Sequence, residues 1–204
     1  MSETSVSETK TGTESRANDC SISVWKAQVW AALLMFPIFF VCVLPYLILW
    51  GNDALDGALD SIHGGVLIGL FIGGIVVHEV LHGIGWALAG GRGWTAISFG
   101  FKLKSLTPYA HVEDPMEAWA YRVGAALPGV ALGLLPWGIS LLIGDGALHL
   151  FGAVFTVAAV GDAMVLWLLR GMPGDTLVED HPDRVGCLLA GKEEASPEGV
   201  SHAD

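Results

Sequence analysis

The sequence predicts an all-α polytopic membrane protein with four transmembrane helices and a short cytoplasmic-side β-hairpin between spans two and three. Of 204 residues, 52% are hydrophobic and only 15% are charged, which is too apolar for an ordinary soluble domain. Four apolar stretches are long enough, at about 1.5 Å per residue, to cross a bilayer. They cover approximately residues 27–50, 64–90, 123–143 and 149–169.

The composition divides the chain into three parts. Residues 1–23 are rich in Ser, Thr and Glu, so we expect a disordered N-terminal tail. Residues 24–170 form the predicted membrane domain, and the acidic residues 171–204 are expected to lie loosely on the surface as a C-terminal tail. The net charge of −11 comes from tails and loops, and no basic patch supports a nucleic-acid partner. The expected surroundings are the lipid bilayer.

The first span offers no group for catalysis. Residues 27–50 carry no charged side chain, and Trp and Tyr residues stand near both ends, where they favour the membrane interface. Pro37 and Pro45 predict kinks. Residues 51–63 follow as a predicted loop with three aspartates and no Lys or Arg.

The second span, residues 64–90, contains the pentapeptide HEVLH. His78 and His82 are four residues apart, so on a helix they share a face and can bind one metal ion through two imidazoles. Glu79 lies beside them, placed to act as a general base on a water at the metal rather than as a ligand. A charged side chain costs roughly 2.5 to 3.5 kcal/mol or more at the centre of a membrane helix, which argues against chance. The alternative is a structural polar cluster between helices.

A strand-like segment follows the second span. Between residues 95 and 103, large side chains alternate with small or charged ones, which is the period of a β-strand. Thr107 and Pro108 predict a turn, and residues 109–112 a returning strand. Such a hairpin must lie at the membrane surface or be enclosed by protein, because lipid cannot satisfy an open strand edge. It is either a template that pairs with an extended substrate or a plain connector.

The third and fourth spans differ in polar content. Asp114 and Pro115 predict a helix start, with Asp as the N-cap and Pro at the first helical position. The helix continues through residues 123–143, which hold no ionisable side chain, whereas residues 149–169 contain Asp162. A lone intramembrane Asp can be a metal ligand, a hydrogen-bonding partner between helices or a proton-relay group.

The distribution of Lys and Arg predicts the orientation. These residues precede span one and follow spans two and four, whereas residues 51–63 and 144–147 have none, so both termini of this multi-pass cell-membrane protein are predicted to be cytoplasmic. Spans two and four then run in the same direction. His82 and Asp162 each lie eight residues before the cytoplasmic end of their span, which places both roughly 12 Å from that boundary. The match in depth favours Asp162 as the third metal ligand.

Three other histidines are candidates for lesser roles. His111 lies beside two acids on the hairpin and is a candidate substrate or metal contact. His149 is predicted to be an interfacial residue at the edge of the fourth span. His181 is predicted to be solvated in a loop.

Four of these features together resemble a known family: HEVLHG on a span, a strand-like loop with TPYAHVEDP, a third span containing Pro-Gly, and Gly161-Asp162 on a later span. Over roughly residues 64–186 they resemble the family of "putative zincin peptidases", related in plan to the site-2 intramembrane metalloproteases. The resemblance implies peptidase activity, Zn²⁺ as the cofactor, and an Asp on a later span as a zinc ligand. The Asn-Pro that precedes this Asp in site-2 proteases is absent here, so the sequence assigns no oxyanion-stabilising group.

The predicted function is a zinc-dependent intramembrane or membrane-proximal endopeptidase acting on a membrane protein or peptide, with zinc-activated water and Glu79 as general base. One alternative is a non-catalytic metal-binding membrane protein, although metal binding alone does not require Glu79. The other is a proton-coupled transporter, in which Glu79 and Asp162 carry protons without a metal. The sequence predicts neither the substrate nor the oligomeric state.

Overall fold

The computed structural model describes residues 19–61, 64–91, 93–102, 107–112 and 114–190. Its helices are α1 (Val24–Trp50), α2 (Asp53–Ser61), α3 (Gly64–Ala89), α4 (Ala118–Pro128), α5 (Leu135–Ile143), α6 (Gly146–Ala158) and α7 (Val160–Leu169). Its strands are β1 (Asp19–Ser23), β2 (Ile97–Lys102), β3 (Thr107–Val112), β4 (Met116–Glu117), β5 (Leu177–Asp180) and β6 (Arg184–Leu189).

Three helical stretches are long and apolar enough to cross a membrane, namely Val24–Trp50, Ile68–Ala89 and Ala118–Ile143. Helices α6 and α7 add a fourth if they count as one span, because they meet at a bend of 46°. By length and composition the described residues therefore contain three or four candidate spans. The predicted, mostly helical membrane fold is confirmed at this level, while the count of four stays a prediction.

The third helical stretch stays continuous although it contains two prolines. A π-helical segment, Gly129–Leu134, joins α4 to α5 and lies between Pro128 and Pro136. Proline has no N–H to donate to the carbonyl four residues earlier, and its ring crowds that carbonyl. Wider π turns relieve this conflict without ending the helix.

The predicted hairpin is present, with different boundaries. Strands β2 and β3 pair antiparallel, with Ile97 opposite Val112 and Lys102 opposite Thr107. The first strand begins two residues later than predicted, because Trp94–Ala96 forms a 3₁₀ turn. Thr107 and Pro108 belong to β3 rather than to the turn. The connection between the strands falls in residues 103–106, outside the described residues.

A second sheet corrects the prediction of loose tails. Four antiparallel strands pair in the order β1–β6–β5–β4. The tail prediction is therefore wrong for residues 19–23 and 177–189, while residues 1–18 and 191–204 lie outside the described part. Alternating side chains of these strands pack on the helix ends, where Val178 and Cys187 are fully buried. Burial also raises the pKa of the Cys187 thiol to about 12, so this cysteine is an unreactive core residue.

Two predictions of local structure are wrong. Asp114 is not the N-cap of the third span, because the next residues form β4 and the helix begins at Ala118. The backbone of Met116 and Glu117 pairs with β5, which favours a strand over a first helical turn.

Residues 51–63 are not a plain loop, since Asp53–Ser61 is helical, with two aspartates in its first turn. Acidic side chains at that position stabilise the helix dipole.

The approach of α3 and α4 positions the functional site. The two helices cross at Gly85 and Gly124, where a Cβ added to Gly85 would lie 2.6 Å from the Gly124 Cα. The Trp86 ring occupies the space over Gly124, and its indole N–H donates to the Tyr121 carbonyl oxygen at 3.1 Å. Glycine at both positions therefore brings the backbone of α4 within reach of side chains on α3.

Candidate metal centre

Two helices contribute three candidate metal ligands. His78 and His82 lie one turn apart on α3, and Asp162 lies in the first turn of α7. Nε2 of His78 is 3.1 Å from Oδ2 of Asp162, and Nε2 of His82 is 3.3 Å from Oδ1. The three ligand atoms lie within 4.8 Å of one another, the one such group found among the described residues. His82 and Asp162, which the sequence predicts at the same depth, therefore lie close together in the structure.

The backbone of α4 fixes the tautomer of His82. Its Nδ1 is 3.0 Å from the Gly124 carbonyl oxygen. Because a carbonyl oxygen only accepts, Nδ1 must carry the proton, which leaves Nε2 as the nitrogen that can bind a metal. Trp86 stacks on the imidazole, with ring centroids 5.3 Å apart and planes inclined by 16°. His82 is therefore held in one orientation before any metal binds.

The bend between α6 and α7 brings Asp162 to the site. Helix α6 packs closely on the preceding span, because a Cβ at Gly152 would lie 2.4 Å from the backbone nitrogen of Trp137. At the far end of α7, the Arg122 guanidinium donates to the carbonyl oxygens of Leu169 and Met172. A cation at a helix C-terminus also favours the helix dipole. These contacts fix α6 before the bend and the C-terminal end of α7, the short helix that carries Asp162.

Glu79 lines the same cavity as the three candidate ligands. The cavity has a volume of about 370 Å³, and hairpin residues 108–110 and Asp180 also line it. The backbone N–H of Ala110 lies near the Glu79 carboxylate on the wall of this cavity. A candidate base, three ligand atoms and a strand edge therefore meet around one space.

The structure places His111 and His149 outside the candidate metal cluster. His111 is not part of the metal cluster, and its Nδ1 lies 2.7 Å from Oδ2 of Asp180. The prediction of an interfacial His149 is wrong, because the residue is fully buried, stacks on Tyr46 and lies 3.0 Å from the Ser140 hydroxyl.

Sequence reasoning missed three residues of this site. Gly124 was assigned no role, although its carbonyl orients His82. Tyr121 and Asp180 both line the cavity, and the Tyr121 hydroxyl donates to Asp180. Asp180 is the last residue of a strand of only four residues, and Glu179 precedes it, so no periodic pattern distinguished it from the acids around it.

Comparison with known families agrees with this geometry. A family described as "Putative zincin peptidase" matches residues 71–177, just over half of the chain. The protein belongs to this family. No curated protein and no solved structure matches the chain. The part that matches this zincin peptidase family contains HEVLH, the hairpin and Asp162, and it ends at the first residue of β5.

The family implies zinc, and the donor atoms fit it. Two nitrogens and one carboxylate oxygen leave a fourth position open, as in catalytic zinc sites. Two ligands of a tetrahedral zinc at 2.0 to 2.1 Å lie about 3.3 Å apart, close to the two His–Asp separations of 3.1 and 3.3 Å. Moreover, Nε2 of His82 and the facing carboxylate oxygen are both acceptors, so a proton or a cation must lie between them.

Proposed function

We propose that this protein is a zinc-dependent membrane endopeptidase in which His78, His82 and Asp162 hold the zinc and Glu79 is the general base. The observation that supports it most is the convergence of a carboxylate from α7 on two imidazoles from α3, with Glu79 in the same cavity. A site that only binds a metal ion needs the three ligands and no further carboxylate. The additional, half-buried carboxylate of Glu79, beside a strand edge, favours hydrolysis over metal binding alone.

Glu79 performs the proton transfers in this mechanism. Zinc, when bound, lowers the pKa of a water molecule and polarises the carbonyl group that it attacks. Glu79 accepts the proton of that water and then passes it to the leaving amine. The Gly124 carbonyl keeps His82 in the tautomer that presents Nε2 to the site, and Trp86 keeps its ring from turning.

The outer edge of β3 supports a role in substrate positioning. Pro108 has no N–H, so the pair Phe101–Pro108 cannot exchange ladder hydrogen bonds. Because the pattern alternates, the N–H and carbonyl groups of Pro108, Ala110 and Val112 point away from β2. In agreement, Val112 N–H donates to Asp180 and Ala110 N–H approaches Glu79. We infer that an extended substrate pairs with this edge beside the metal.

The sheet supports four spans with both ends of the described chain on one side. Strand β1 directly precedes α1, β4 directly precedes α4, and β5 follows α7 in the same sheet. The starts of spans one and three and the end of α7 therefore lie near one another. Since α4 and α5 carry the chain across once, α6 and α7 must carry it back. We propose that this side is cytoplasmic, as the Lys and Arg distribution predicts.

The test compares metal content and cleavage in the wild-type protein and the Glu79→Gln variant. Both proteins are purified in detergent, their zinc is measured by mass spectrometry, and cleavage of co-expressed membrane proteins is followed by gel and mass analysis. We expect equal zinc content and loss of cleavage in Glu79→Gln. Zinc without cleavage in the wild type would indicate the non-catalytic metal-binding protein. Absence of zinc from the wild type would favour the proton-coupled transporter.

A further inference from the structure

Asp180 joins three donors that come from two separate parts of the fold. Its Oδ1 accepts from the Tyr121 hydroxyl on α4. Its Oδ2 lies 2.7 Å from Nδ1 of His111 and 3.3 Å from the backbone nitrogen of Val112, both on β3. A carboxylate only accepts, so Nδ1 of His111 carries a proton here. Asp180 thus fixes the hairpin against the third span.

Asp180 also stands where the accessible edge of β3 ends. The cavity reaches along the strand from Pro108 to Ala110 and is bounded by Asp180. The next outward-pointing N–H belongs to Val112, and it already donates a hydrogen bond to the Asp180 carboxylate. A strand that pairs with β3 from the cavity side therefore finds carbonyl groups at Pro108 and Ala110, but no accessible N–H at Val112.

We propose that Asp180 is a positioning residue that ends the substrate-pairing edge of β3 at Ala110 and so sets the register of an extended substrate relative to Glu79. This inference rests on the proposed peptidase function. Side chains of a strand alternate between two faces. A paired substrate that shifts its register therefore keeps each side chain on the same face only if it moves by two residues. Such a slip displaces the peptide bond by about 6.6 Å, which brings a different bond to the site.

The experiment uses two variants of the full chain and a matched control. Asp180→Ala removes all three acceptor contacts. Asp180→Asn keeps the shape but replaces one accepting oxygen with an NH₂ group, and it serves if the alanine variant fails to fold. Glu179→Gln removes a carboxylate from the neighbouring position of β5, which points to the opposite face of the strand. Zinc-loaded proteins in detergent digest β-casein, and the cleaved bonds are mapped by mass spectrometry.

For the Asp180 variants we expect new cleavage sites two residues away from the wild-type sites. Without Asp180 the hairpin is no longer fixed against the third span, so substrate binding must also order it. At the size of one lost hydrogen bond to a charged acceptor, this should raise KM about tenfold. The value of kcat at the original bonds should change less than about twofold, because the base and ligands are intact. Zinc content should stay at the wild-type level. Glu179→Gln should reproduce the wild-type cleavage map.

Amide hydrogen exchange gives a readout that does not depend on activity. Without the Asp180 acceptor, the peptide covering residues 107–112 should exchange faster than in the wild type and in Glu179→Gln. Equal exchange rates in all variants would show that Asp180 does not hold the hairpin and would overturn the inference.

The remaining outcomes separate the inference from the proposed function. A wild-type protein that binds zinc but cleaves no bond of β-casein refutes endopeptidase activity on extended chains, and the register role with it. Wild-type cleavage with an unchanged map and KM in the Asp180 variants overturns the inference alone. Loss of zinc in Asp180→Asn, with Glu179→Gln normal, would show that Asp180 supports the metal site and does not set the register.

Discussion

Replacing Gly124 with alanine should damage the metal centre although Gly124 carries no ligand. A Cβ at this position would lie 2.1 Å from Cδ1 and 2.2 Å from Nε1 of Trp86. Ordinary carbon contacts are about 3.5 to 4.0 Å, so the indole ring or the helix must move by about 1.5 Å. Trp86 stacks on His82, and the Gly124 carbonyl accepts from the same imidazole. The displacement therefore reaches a candidate ligand by two routes.

Two magnitudes follow from this geometry. Overpacking of a tight interior typically costs about 1 to 3 kcal/mol, which corresponds to a fall in Tm of roughly 2 to 12 °C for a chain of this size. Disturbing the hydrogen-bonding partner of a metal-bound histidine typically weakens metal affinity by about 10- to 100-fold. We therefore expect Gly124→Ala to lower both Tm and the zinc affinity.

Thermal unfolding in detergent and zinc competition with a chromophoric chelator measure the two effects. Gly138→Ala is the matched control, because a Cβ there meets nothing within 4 Å and the residue lies on the same helical stretch. Alanine favours a helix by up to about 1 kcal/mol over glycine, so the control should be as stable as the wild type or more so. If Gly124→Ala binds zinc as tightly as Gly138→Ala, the proposed role of the Gly124 carbonyl in orienting His82 is refuted.

Three further predictions concern the ligands, the hairpin and the topology. Asp162→Asn keeps the shape but loses the charge. Zinc affinity should therefore fall by more than about 100-fold, the largest typical effect of losing a hydrogen-bonding partner of a ligand, while Tm of the metal-free protein stays within a few degrees. Unchanged zinc content would exclude Asp162 as a ligand. Ser98→Pro removes a hydrogen-bond donor from the ladder between β2 and β3, whereas Phe99→Pro removes an N–H that points away from β3. Substrate cleavage should therefore fall more for Ser98→Pro than for Phe99→Pro. Equal effects of the two variants would argue against the register in which β2 and β3 pair. Protease-accessible tags at both termini should be cut only from the cytoplasm and a tag within residues 51–61 only from outside, and an externally cut C-terminal tag would reverse the orientation.

The proximity of the three candidate ligands could be predicted from the sequence because a helix has a regular rise. The spacing of His78 and His82 fixes their common face, and it does not depend on the rest of the fold. The level of Asp162 relative to His82 was obtained by counting residues from the helix ends. That estimate holds because α3 ends at Ala89 and α7 at Leu169, close to the predicted ends. The 46° bend before Asp162 was missed, since the sequence there contains no proline.

The second sheet could not be predicted in the same way. Its strands come from residues 19–23, 116–117 and 177–189, and they contain only two to six residues each. Segments this short show little periodicity, and their pairing depends on where the helix ends already lie. His149 was misplaced for a similar reason. A single polar residue in an apolar stretch has the same pattern whether it faces the interface or a buried partner such as Ser140.

The requirement that a strand edge be satisfied connects the part that was predicted with the part that was not. An unpaired edge beside apolar helices needs partners for its outward N–H groups. On β3 the Asp180 carboxylate meets that need at Val112, while a second acidic side chain, Glu79, lies near the N–H of Ala110. One is the proposed base, and the other comes from a segment that composition alone assigned to a tail. The unpaired N–H groups of the hairpin could have predicted that Val112 needs a hydrogen-bond acceptor. Only the folded position of β5 determines that Asp180 is this acceptor.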